Sequence, residues 1–140
     1  MTLSVEPEAP VTPPPVRDSG VARILGLVVS ALATVVTSVV ELYLTPLRLG
    51  GVPIGVAVVF AAAANWALAW FAVQTAGRRW AVGVPWVLWT VVMLFAAGAK
   101  TAEGDYLISG NDWIALVMIL VGSLSFAVYA YRLIVRRPSL

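Results

Sequence analysis

The sequence predicts an all-α fold: an integral membrane bundle of four transmembrane helices arranged as two antiparallel hairpins. Three observations predict it. Of 140 residues, 61% are hydrophobic and only 11% charged; mean hydropathy is +0.93; and four apolar runs are each long enough to cross the ~30 Å hydrocarbon core of a bilayer. Lipid rather than water is the solvent for most of such a chain. Four spans with short connections leave no room for a separate soluble domain.

Residues 1–20 hold five of the nine prolines (Pro7, Pro10, Pro13, Pro14, Pro15) together with Glu6, Glu8 and Asp18. Such a segment neither buries area nor propagates a helix, and it reads as a disordered tail of polyproline II character. A Pro-rich ligand is the competing reading, with Arg17 the only close basic flank. The transmembrane domain then occupies 21–135, and 136–140 form a second tail.

The first helix is expected over about 24–44. Ala31-Leu32-Ala33 resembles a signal-peptide cleavage site, but the acidic, Pro-rich lead-in and the apolar run beyond it favour a retained span. Thr45 to Gly51 form a turn, with Pro46 ending the helix and Gly50-Gly51 free to take positive φ. The second helix is expected from about Pro53 to Gln74, with proline in the first turn where a missing N–H costs nothing. After Thr75-Ala76-Gly77-Arg78-Arg79, the third runs over 80–99, with Pro85 placed to kink its second turn. The longest loop, Lys100 to Asn111, ends in Asn111-Asp112, an N-cap for the fourth helix over 113–134.

The topology places Arg17, Arg23, Arg78, Arg79, Arg132, Arg136 and Arg137 on one side and only Arg48 and Lys100 on the other. This asymmetry predicts a multi-pass cell-membrane protein with both chain ends cytoplasmic. Tyr43, Tyr106 and Trp113 mark the outer interface, and Trp70, Trp80, Tyr129 and Tyr131 the inner one. Trp66, Trp86 and Trp89 lie deeper and read as packing or lipid-facing groups. The net charge of +2 is spread over helix ends rather than gathered in a patch, so nucleic acid is not an expected partner.

The chain holds no cysteine and no histidine, which removes disulfides, thiolate chemistry, haem ligation and most zinc or copper sites. The acidic loop after Lys100 lacks the alternating ligands of a calcium loop. No nucleophile and base pair or phosphate loop is present, so no enzyme, cofactor or metal site is expected.

Candidate functional residues lie within the spans. Gly26, Ser30, Thr34 and Ser38 fall four apart on the first helix, a small-residue ridge edged by Thr37 and Glu41 that lets two backbones approach. Helix packing accounts for that ridge more simply than a substrate path does. Glu41 is the only acid inside an apolar run. It reads either as an interfacial group paired with Arg48 or Lys100, or as a proton- or cation-binding carboxyl. Asn65 sits at mid-depth in the second helix. Thr34, Thr90 and Ser123 fall at the midpoints of the others, predicting an interhelical hydrogen-bonded layer or, more sharply, a midplane binding site. Alanines at 57, 61–64, 67 and 69 thin the second helix, implying a close neighbour. Ser125, Tyr129 and Arg132 read as a solvated helix terminus.

The Pro-rich tail, the alanine- and valine-rich spans, the arginine-marked turns and the loop Gly-Asp-Tyr-Leu-Ile-Ser-Gly-Asn-Asp-Trp resemble a group of uncharacterised small four-helix membrane proteins of actinobacteria. Some of these are named facilitated glucose transporters. The resemblance spans residues 20–135 and transfers no functional residue. The small multidrug-resistance transporters differ, placing their essential glutamate at mid-depth of helix one whereas Glu41 lies near the outer end.

Two functions follow as expectations. One is a non-enzymatic accessory or scaffold subunit, surrounded by lipid and packed against itself or other membrane subunits. The alternative to that first reading is an oligomeric small-solute or ion transporter with Glu41 and Asn65 in its pathway.

Overall fold

The computed structural model describes residues 20–100, 102, 104, 108 and 112–135. Both tails and most of the loop after Lys100, including Glu103, Asp105 and Tyr106, lie outside that set. Four helices form the structure: α1 Gly20–Leu44, α2 Val56–Ala76, α3 Gly83–Gly98 and α4 Trp113–Val135. α1, α2 and α4 are each long and apolar enough to cross a membrane, and so is α3 once the three-ten turn Arg79–Val82 before it is included. The chain is an all-α integral membrane bundle.

α1 has 25 residues, about 37 Å at 1.5 Å per residue, longer than the core it crosses. Two of its buried hydroxyls, and that of Thr45 just beyond its end, are neutralised locally. Thr34 donates to the Ser30 carbonyl at 2.7 Å, Ser38 to that of Thr34 at 2.7 Å, and Thr45 to that of Glu41 at 2.9 Å. Such bonds make a hydroxyl tolerable where no water competes.

The outer turn is a miniature hairpin, β1 Arg48–Leu49 against β2 Val52–Pro53. Gly50 and Gly51 take φ of +57° and +84°, the pattern of a type I′ turn, which side chains resist and glycine does not. The hairpin draws Pro53 into an extended pair with Arg48, so α2 starts at Val56, three residues later than the proline suggested. At its far end Gly77, with φ +61°, donates its N–H to the Val73 carbonyl as a left-handed cap.

The return from α2 passes through the three-ten turn before α3 begins at Gly83. Pro85 is therefore the third residue of α3, among the first-turn positions whose N–H has no intrahelical partner, and not in a second turn. At the head of α4 the Asp112 carboxylate accepts the Ala115 N–H at 3.4 Å, an N-cap as Asn111-Asp112 predicted.

α2 is the spine, packed chiefly on α1 and α4; α3 leans mainly on α1, and α3 and α4 touch little. The buried stripes share one rhythm. Ser30, Thr34, Ser38, Glu41; Ala57, Ala61, Asn65, Leu68; Pro85, Trp89, Met93, Ala96; and Met118, Gly122, Phe126, Tyr129 are all buried, in steps of four, four and three. Eleven residues per three turns is the period that accompanies right-handed packing. Gly26 is a close-approach point, because a Cβ there would lie 2.5 Å from Thr75 Cβ on α2. The outward faces, such as Leu32, Val59, Leu94 and Leu120, are exposed and apolar, as lipid requires.

Among the described residues, Arg23, Arg78, Arg79 and Arg132 fall at one end of the bundle and Arg48 and Lys100 at the other. Arg17, Arg136 and Arg137 lie outside the described set. Trp70, Trp80 and Tyr131 at the arginine-rich end, and Tyr43 and Trp113 opposite, are exposed. Tyr129 is instead buried and meets Trp66 edge-on at 5.1 Å, with the Arg132 guanidinium 5.0 Å over the Trp66 ring. Ser125 donates to the Val121 carbonyl. This end of α4 is an aromatic and cationic packing joint with α2, in which Tyr129 is buried while Arg132 stays exposed, so the solvated-terminus reading holds for Arg132 and fails for Tyr129.

Candidate functional site

α1 buries four residues, Ser30, Thr34, Ser38 and Glu41, and all are polar. This inverts a water-soluble helix and follows from solvent: with lipid outside, the interior is the one place where a polar side chain finds polar company. Glu41 lies at the top of the stripe, three residues before the helix ends, yet it is 0% exposed.

Its partner is neither Arg48 nor Lys100. The indole Nε1–H of Trp89, on α3, donates to Glu41 Oε2 at 2.7 Å, the length of a charge-assisted or otherwise strong bond. Glu41 Oε1 is buried with no hydrogen-bond partner. The interfacial ion pair is thus replaced by a closed carboxyl–indole link between α1 and α3.

Trp89 continues the site inward. Its ring lies so close to Gly122 of α4 that a Cβ there would sit 2.5 Å from Trp89 Cζ2, and the same point is 2.8 Å from Asn65 Nδ2 on α2. Four helices therefore meet through one indole, with Glu41 at its nitrogen edge and Asn65 and Gly122 at its benzenoid edge. Phe126 packs at 6.0 Å behind it. Asn65 is fully buried, and neither its Nδ2 nor its Oδ1 has a hydrogen-bond partner; Ser30 Oγ, deeper on α1, has none either.

The expected layer of Thr34, Asn65, Thr90 and Ser123 does not form as a hydrogen-bonded ring. Thr34 and Thr90 bond to carbonyls of their own helices, and Ser123 lines a groove between α3 and α4. Depth was legible and direction was not. On α3 and α4 the residues facing Asn65 are Trp89 and Gly122, each one position, or about 100°, away from those expected. Gly26, Ser30, Thr34 and Ser38 do lie along the inward side of α1, and Gly26 meets α2 directly.

Trp89 and Gly122 were not singled out by sequence as site residues. The signal that finds them is the four-four-three stripe, which puts Trp89 in line with Pro85 and Met93, and Gly122 with Met118 and Phe126. No protein-family model, curated protein or solved structure matches this chain.

Proposed function

We propose that this chain is the protomer of a small membrane transporter that binds a proton or a monovalent cation at Glu41, with Asn65 as the next polar station. One observation carries the reading. A carboxyl oxygen and both polar atoms of an amide are buried without partners around one shared indole. Each such group costs about 1–3 kcal/mol when left unsatisfied, and an ionisable group at membrane depth is a functional suspect by default. A bound cation, proton or water offsets that cost; a purely structural core avoids it with leucine. Four helices enclose little volume, so the transporter works as an oligomer, with both chain ends in the cytoplasm by the arginine asymmetry.

A second reading, an accessory subunit of a membrane complex, is favoured by a different observation. Glu41 and Asn65 are shut in, and the two described surface grooves are lined by neither.

Reconstitution separates the two. Vesicles containing the protein are given an inward proton, sodium or potassium gradient under a clamped potential, and flux is read with ion-sensitive dyes. Wild type conducts, whereas Glu41→Gln and Asn65→Leu, shown to be helical and monodisperse, do not. Vesicles that stay tight to all three ions, or flux untouched by both substitutions, refute transport. Capture of a defined membrane partner by crosslinking in native membranes then supports the accessory role.

A further inference from the structure

The sparse contact between α3 and α4 leaves a groove of about 460 Å³ with almost wholly apolar walls. Val82 and Trp86 form one side and Leu120, Ala127 and Ala130 the other. From Leu120 to Ala130 the groove runs ten residues, about 15 Å of helix. That is half of the ~30 Å hydrocarbon core, the depth of one leaflet.

The groove begins at the arginine-rich end. Val82 closes the three-ten turn whose first residue is Arg79, preceded by Arg78, and both arginines are exposed. At about 2 Å per residue, Arg79 stands roughly 6 Å above Val82, at headgroup height. The described carboxylates, Glu41 and Asp112, both lie toward the opposite end. Arg132 is turned away onto Trp66. The groove's mouth is therefore cationic with no described acid to neutralise it, while its body accepts only apolar matter.

From this geometry we infer that the α3–α4 groove is a binding site for one anionic phospholipid of the arginine-side leaflet. One acyl chain lies along Ala130, Ala127 and Leu120, and the phosphate is held by Arg78 and Arg79. Basic residues at a helix-pair mouth on one side of the membrane bind anionic headgroups through charge, and the groove adds a place for the tail. The site is separate from Glu41, since Phe126 and Trp89 stand between them.

The test uses the full chain purified in mild detergent and mixed with equal phosphatidylglycerol and phosphatidylcholine, with retained lipid counted by native mass spectrometry. One phosphatidylglycerol per chain is expected to survive conditions that strip phosphatidylcholine. The double variant R78Q/R79Q lowers that preference by about 30-fold, at about a fivefold factor per basic residue. Ala127→Trp, which fills the groove from an exposed position, removes the retained lipid while circular dichroism and elution are unchanged. Equal retention of both lipids, or a folded Ala127→Trp that keeps its phosphatidylglycerol, overturns the assignment. So does an Ala127→Trp that dissociates a dimer without changing bound lipid, which assigns the groove to a second copy.

Discussion

Replacing Gly122 by alanine tests the centre of the bundle with a single methyl group. The added Cβ would lie 2.5 and 2.8 Å from Trp89 Cζ2 and Cη2, and 2.8 Å from Asn65 Nδ2, whereas carbon atoms rest at about 3.5–4 Å. Trp89 cannot simply yield, because its other edge is fixed to Glu41 at 2.7 Å and its ring is backed by Phe126. Moving it by the missing ångström stretches or breaks the carboxylate bond. Overpacking of this kind costs about 1–3 kcal/mol, set against roughly 0.5–1 kcal/mol gained by replacing a helical glycine. A net loss of about 1–2 kcal/mol is expected in an SDS unfolding titration followed by circular dichroism. Gly98→Ala is the control, since a Cβ there meets nothing within 4 Å. Trp89→Phe in the Gly122→Ala background withdraws the clashing ring atoms, so the two substitutions should couple and the second should cost less than it does alone. Gly122→Ala as stable as the Gly98→Ala control, or strictly additive with Trp89→Phe, would refute the packing described here.

Three further outcomes follow from the same geometry. Trp89→Phe alone leaves both carboxyl oxygens of Glu41 without a donor and should destabilise by about 1–3 kcal/mol, read in the same titration; an unchanged midpoint contradicts the bond. Asn65→Leu substitutes a side chain of similar shape for an amide with no partners, so stability should hold within about 1 kcal/mol or rise, even where flux is lost. A loss beyond 2 kcal/mol would instead reveal that water or an ion satisfies Asn65. Gly26→Ala drives a methyl to 2.5 Å from Thr75 Cβ, an atom too near its own backbone to swing aside. It should cost about 1–3 kcal/mol, and a neutral result would mean that α1 and α2 separate there freely.

The spans, the polar stripe of α1 and the outer glycine turn were all legible in sequence, because each rests on local chemistry. Long apolar runs need lipid, hydroxyls four apart share a face, and paired glycines permit a turn that other residues resist. The site was only half legible for an equally physical reason. Counting residues from a helix end gives depth, so Asn65 was placed correctly, but it says nothing of how each helix is turned about its axis. One residue of error moved attention from Trp89 to Thr90 and from Gly122 to Ser123. Of the two readings of Glu41, the interfacial pair with Arg48 or Lys100 does not form, because nearness to a helix end is not access to water when a large indole from another helix covers the carboxyl. The start of α2 was misplaced because Pro53 fits both a first helical turn and an edge strand, and the glycine hairpin decided between them.

The bond from Trp89 to Glu41 spans 48 residues of chain, and this makes each hairpin depend on the other. Within the first hairpin α1 and α2 meet at Gly26 and Thr75, but that hairpin contains no donor to the acid of α1. That donor comes only with α3, and the wall that holds its ring in place comes with α4. The first hairpin by itself thus holds no donor for the carboxyl it carries, and the second hairpin supplies the one the bundle uses.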